Sequence, residues 1–295
     1  MEATHEPFFS AKCLNSRIKP LPRPYYMETL KKQQTLSILN MLAVLFTIGI
    51  NYYSQLYTIN GNRVSDMSNK YDNLFTPAGY AFAIWGVIFL ALFIFAGYQI
   101  YRTIIRKRIF DFISQSGLWF ALATVGTGLW VVVWLYDYTL VSVLVMLVIL
   151  FSLIKFVVNT NMERWSAPGK TIIFGWWPIS IFAGWIAVAT IANISAYLSK
   201  LGWDGGPLSA ITWTIVMIVI ATLLNLVLIF TRGMREFAVV GVWALYAIYV
   251  RHQNSYETIA MTALISAAII LISVLGHAFI NRKINPFYGK YFRKE

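Results

Sequence analysis

The chain has 295 residues, of which 58% are hydrophobic, 16% aromatic and only 12% charged, with a mean hydropathy of +0.63. Soluble domains carry about twice that charge, and apolar runs long enough to cross a bilayer recur, so the composition excludes a soluble globular protein and points to a polytopic helical one. The formal charge of +12 is read as basic loops that orient the chain in a lipid bilayer, with no nucleic acid as partner. The single cysteine, Cys13, leaves neither an intrachain disulfide nor a cysteine metal cluster.

Residues 1–35 are polar, and Pro20, Pro22 and Pro24 interrupt any helix there. They hold no apolar core of the signal-peptide kind. Met27 opens METLKKQQT, an ordinary beginning for a bacterial membrane chain, and residues 1–26 are expected to be an upstream extension. Spanning segments are expected at 36–58, 77–101, 112–136, 138–159, 171–198, 208–230, 237–250 and 258–280, with a polar loop at 59–76 between the first two. The seventh is short for a hydrocarbon core of ~30 Å.

Loop charges support that count. If the N-terminus, alternate links and the C-terminal tail share one side, that side holds 20 of the 24 lysines and arginines, while acidic residues split seven to five. Only positive charge orients a chain in this way, so both termini are expected to be cytoplasmic, in a bacterial cytoplasmic membrane. The spans carry no charge deep inside, which argues against an ion-coupled pump or a charge-selective channel. His252 and His277 have no carboxylate or cysteine at ligand spacing, so a metal site is not expected. Hydrolase, zincin and P-loop patterns are missing, and the chain is not expected to be an enzyme. Gly117/Ala121 and Thr124/Gly128 on the third span are small-residue pairs that permit close helix approach.

The aromatic residues discriminate more. Of 11 tryptophans, eight (Trp119, Trp134, Trp165, Trp176, Trp177, Trp203, Trp213 and Trp243) fall near span ends, where interfacial anchoring accounts for them. Trp85, Trp130 and Trp185 lie further inside. At 1.5 Å per residue, Trp85 and Trp130 sit about 9–12 Å from the outer ends of their helices. On the fifth span, Trp185, Ala189 and Asn193 share one face at four-residue steps. At the head of the second span, Pro77-Ala78-Gly79-Tyr80-Ala81-Phe82 runs into Trp85, with Gly79, Phe82 and Trp85 at three-residue steps. Such residues either pack a bundle or line a pocket for a flat apolar ligand, with Asn193 as a hydrogen-bonding group.

These motifs resemble those of the TspO/translocator-protein family, the tryptophan-rich sensory proteins. In that family the second helix opens with Pro-Pro-Gly-Trp-x-Phe and a Trp-Thr shortly after, and the fifth carries Trp, Ala and Asn at four-residue steps. Here Pro77-Ala78-Gly79-Tyr80-Ala81-Phe82 is followed by Trp85-Gly86, one residue early, and Trp185, Ala189 and Asn193 keep their steps. Pro178 lies a turn further back than the family's proline, and Trp130 and Trp134 occupy the region of its third-helix tryptophans. The resemblance covers 36–198 and implies an all-α membrane fold, a five-helix bundle with three additional C-terminal helices (199–280) and a basic cytoplasmic tail (281–295). It also implies a pocket inside the bundle, capped by the 59–76 loop, for a tetrapyrrole, sterol or other aromatic molecule. Pro77, Gly79, Tyr80, Phe82, Trp85, Trp130, Trp185, Ala189 and Asn193 are the expected ligand-binding residues. A cofactor is not required, a porphyrin or haem-like molecule being ligand rather than prosthetic group. Transport, sensing and light-dependent porphyrin breakdown all fit the resemblance, and a homodimer is a further expectation from it. The competing reading is a membrane scaffold or accessory subunit, in which small residues such as Ala260, Ala263 and Ala267 on the eighth span face a partner.

Overall fold

The computed structural model describes residues 23–71, 73–164, 167–203 and 205–282. Cys13, Trp165, most of the proposed 1–26 extension and nearly all of the 281–295 tail lie outside the described residues. Those described form helices and connecting turns, without strands. In order they are α1 (Arg23–Leu56), a short α2 (Val64–Lys70) in the first loop, a 3-10 turn (Gly79–Ala83) leading into α3 (Ile84–Ile100), a short α4 (Asp111–Ser116), α5 (Trp119–Leu135), α6 (Thr139–Asn159), a single turn α7 (Gly169–Thr171), α8 (Trp177–Lys200), α9 (Ala210–Arg232), α10 (Arg235–His252) and α11 (Glu257–Ile280).

Eight long helices stand where spans were expected, and six are long and apolar enough to cross a membrane. The other two differ for physical reasons. The third expected span is divided at Gly117, whose φ of +55 stops α4 and leaves α5 with 17 residues. α10 carries Arg235, Glu236 and Arg251 within its 18 residues, too many charges for a free-standing span. Pro178 cannot donate a backbone hydrogen bond, and its ring crowds the preceding turn. The chain responds with a π-helical turn, Ile172–Trp176, immediately before α8.

The outer surface is apolar. On α6, Leu140, Leu144, Leu147, Phe151, Ile154 and Val158 are all exposed at helical spacing, while Val143, Met146, Ile149, Leu153 and Phe156 point inward. Water would not tolerate that outward stripe, and lipid does. α8 is the central helix. In its most apolar stretch 61% of residues are buried, against 28–44% in the other five long apolar helices. It packs against α3, α6 and α10.

Small residues set the close crossings. A side chain at Gly128 would meet Phe46 at 2.9 Å, and Thr47 Oγ1 donates to the Thr124 carbonyl at 2.6 Å, fastening α1 to α5. A Cβ at Gly184 would lie 2.8 Å from the Phe237 carbonyl oxygen, and one at Gly241 would lie 2.6 Å from the Asn225 amide. Those two glycines let α10 sink between α8 and α9. Ala260, Ala263 and Ala267 are buried on α11, which packs against α9 and α10, so the stripe serves packing within the chain and offers no face to a partner. α9–α11 are thus continuous with the bundle rather than appended to it.

Candidate functional site

The site lies where the 3-10 turn, the head of α3, α5 and α8 meet beneath the first loop. Around the 3-10 turn, residues three apart eclipse one another, which carries Gly79 and Phe82 onto the same side, followed by Trp85 on α3. On α8 the four-residue steps bring Trp185, Ala189 and Asn193 to one face.

A cavity of about 40 Å³ is lined by Thr76, Pro77, Phe82, Trp85, Trp130, Trp134, Trp185, Ala189 and Asn193, with Ser68, Val188, Ala192 and Ala196 completing the wall. Seven of the nine expected site residues therefore share one cavity. Trp185 is met edge-on by Phe82 at 6.0 Å and by Trp85 at 6.3 Å between ring centroids. Trp130 stacks on Trp134 at 5.6 Å. Gly79 lines a neighbouring groove instead. Tyr80 reaches neither space, because it turns away to meet Trp243 of α10 edge-on at 5.3 Å.

Two further corrections concern polar and interfacial roles. Asn193 is buried and already bonded: Oδ1 accepts from Trp130 Nε1 at 3.1 Å, and Nδ2 donates to Ser142 Oγ at 2.9 Å. Its first task is to fix α5, α6 and α8 relative to one another, and a ligand would compete for its amide. Trp134, near a span end where interfacial anchoring is expected, is 3% exposed and part of the cavity wall. Its position four residues after Trp130, on the same face, is the signal that should have recruited it.

The 59–76 loop closes over this cavity and is tied down on two sides. On one side Asp137, in the α5–α6 turn, accepts from Lys70 Nζ at 2.7 Å and from the Tyr71 hydroxyl, and lies 3.0 Å from Lys200 Nζ. Partial burial pushes its carboxyl up, but hydrogen bonds from Lys70, Tyr71 and Lys200 outweigh that and hold it down at about 2. Burial, followed by the bond to Asp137, pushes the Tyr71 phenol up to about 12. On the other side α10 holds the chain. His252 Nε2 donates to the Leu74 carbonyl at 2.8 Å, Arg251 donates to Asn69 at 3.1 Å, Ala78 N–H donates to the Ala247 carbonyl, and Trp243 Nε1 donates to the Ala81 carbonyl at 3.1 Å. Asn73 adds a bond to the Ala192 carbonyl of α8.

A family model described as TSPO-like protein matches residues 37–276. The chain belongs to the TSPO-like family. It is an integral, multi-pass membrane protein of that kind, and the match runs past 198 through most of α11, so it takes in α9, α10 and α11 as well as the stretch that carries the tryptophan motifs. No curated protein and no solved structure matches it.

Proposed function

We propose that this protein binds a planar hydrophobic molecule, of tetrapyrrole or sterol type, in the aromatic cavity and transports or senses it. The carrying observation is the convergence of Phe82, Trp85, Trp130, Trp134 and Trp185 from three helices on one buried space. Aromatic faces supply dispersion and stacking to a flat ring, each contact adding ~0.5–1.5 kcal/mol beyond burial. With the loop in place the space holds about 40 Å³, whereas pockets for drug-sized ligands run to ~300–1,000 Å³. Binding therefore requires the lid or the aromatic wall to move, and occupancy and opening are coupled, as sensing or transport demands.

The orientation proposed from the loop charges places the lid on the non-cytoplasmic face of a bacterial cytoplasmic membrane. The experiment is a titration of the purified full chain with protoporphyrin IX, read by quenching of tryptophan fluorescence. Micromolar quenching that weakens about tenfold in Trp185→Ala, with expression unchanged, is the expected result. No quenching by protoporphyrin IX or by its neutral dimethyl ester at micromolar concentration overturns the proposal.

A further inference from the structure

Beside the cavity, on the outer flank of the bundle, lies a second space of about 490 Å³. It runs between the last turns of α1 and the start of α3, under the first residues of α2. Its walls include Asn51, Gln55, Ser65, Gly79, Gly86 and Phe89. It shares Phe82, Trp85 and Trp130 with the inner cavity, so these three aromatic side chains stand at the boundary between the small inner space and the wider groove.

The three are not held alike. Trp130 is pinned, since its indole N–H is bonded to Asn193 and its ring stacks on Trp134. Phe82 rests edge-on against Trp185. Trp85 has ring contacts only, stacked on Phe89 at 5.2 Å and edge-on to Trp185, and its indole N–H makes no hydrogen bond among the described residues. It is half-buried, and its next neighbour Gly86 has open space where a side chain would be. A rotamer change at Trp85 breaks no hydrogen bond and has room to occur. Its rotation would join a groove of ligand size to a cavity that alone is far too small.

The groove also reports on its occupant. Its polar side chains, Asn51, Tyr52, Gln55 and Ser65, are all neutral, and among the described residues neither space is lined by a lysine, arginine, aspartate or glutamate. A carboxylate taken into such a wall would lose water without gaining a counter-charge, which is costly. A hydroxyl or carbonyl would be satisfied by an amide or serine.

We propose that groove and cavity are two halves of one binding site, that Trp85 is the door between them, and that the occupant is an uncharged flat molecule, dissolved in the membrane, with a hydroxyl or carbonyl at one edge. The molecule arrives sideways between α1 and α3 instead of through the lid. This rests on the reading of the aromatic cavity as a ligand site and narrows it to neutral ligands and a lateral path.

The test uses the full chain in lipid nanodiscs, with stopped-flow tryptophan quenching by protoporphyrin IX dimethyl ester, a neutral ring, and by the dicarboxylic parent compound. The ester is expected to bind at least tenfold more tightly than the diacid. Gly86→Phe, which fills the groove where a side chain has room, is expected to slow ester association at least tenfold. Gly79→Phe, at another open position on the groove, provides a second block should Gly86→Phe fail to fold. Trp85→Ala is expected to speed association and to speed release more. Unchanged association in a folded Gly86→Phe or Gly79→Phe protein overturns the lateral path while leaving the cavity reading intact, provided that Trp185→Ala still weakens binding. Diacid binding as tight as the ester overturns the neutral occupant. Absence of quenching by either compound removes the cavity reading itself, and this proposal with it.

Discussion

The two edges of the lid are fastened by different physics. The Asp137 edge is a cluster of charges at the surface, with Lys70, Tyr71 and Lys200 converging on a single carboxylate. The α10 edge rests largely on main-chain groups, the carbonyls of Leu74, Ala81 and Ala247, with Arg251 adding a bond to the Asn69 side chain. Charge contacts at a surface are weak, screened by salt and reversible. Backbone bonds set in a packed interface break only when the interface does. The Asp137 contacts are therefore the easier of the two to release, and the α10 contacts the firmer. That ties the C-terminal helices to the aromatic cavity, since α10 supports both the loop over it and the head of α3.

The largest effect should come from dislodging the fixed edge. Gly184→Leu places side-chain atoms against the Phe237 main chain, where even a Cβ would stand at 2.8 Å. Overpacking of this sort costs about 3 kcal/mol. The variant should melt several degrees lower in detergent, and hydrogen exchange should rise at residues 78–83 as the bonds from Ala78 and to Ala81 are lost. Gly86→Ala is the contrast: its new methyl meets open space, so it should be neutral or slightly stabilising. Equal effects of the two would mean that α10 is not seated as described.

The releasable edge should respond less. Asp137→Asn removes two ion pairs and weakens the Tyr71 bond. At ~0.2–1 kcal/mol for each exposed pair and ~1 kcal/mol for a hydrogen bond, the lid should open roughly tenfold more often. Hydrogen exchange in residues 64–71 should quicken, with residues 78–83 unaffected. Exchange rising equally at both edges would show that the lid opens as one unit, and the distinction between them would fall.

Much of this is legible in the amino-acid sequence. Charges such as Arg102, Arg164, Arg232 and Arg251 bracket the apolar runs, and a helix that must satisfy its own backbone in lipid can hardly stop elsewhere. The meeting of Trp85, Trp130 and Trp185 was also readable, because helical rise converts sequence position into depth and four-residue steps define a face. Three things were not. Tyr80 lies within the motif yet points at Trp243, since a 3-10 turn rotates successive residues differently from an α-helix. Asn193 was expected to serve a ligand but is engaged by Trp130 and Ser142, partners on two other helices that no spacing reveals. The grip of α10 on the lid uses mostly backbone carbonyls, which every residue has and no sequence advertises.

The finest test of the two edges is acidity. Asp137 in the folded protein titrates at about 2, below its ordinary 3.8. A depressed carboxylate contributes stability that is fully present above the ordinary value and disappears as the pH falls through about 2. Lys70 and Tyr71, both shifted upward, keep their protons throughout that range, so the loss belongs to the aspartate. The difference in melting temperature between the native chain and Asp137→Asn should be constant above about pH 4 and shrink toward zero near pH 2. The α10 edge, whose bonds are mostly to main-chain carbonyls, should keep its hydrogen-exchange protection from pH 4 down to pH 2.5. A difference that persists at pH 2 would mean that the asparagine acts through packing rather than charge, and the releasable edge would then be no more electrostatic than the fixed one.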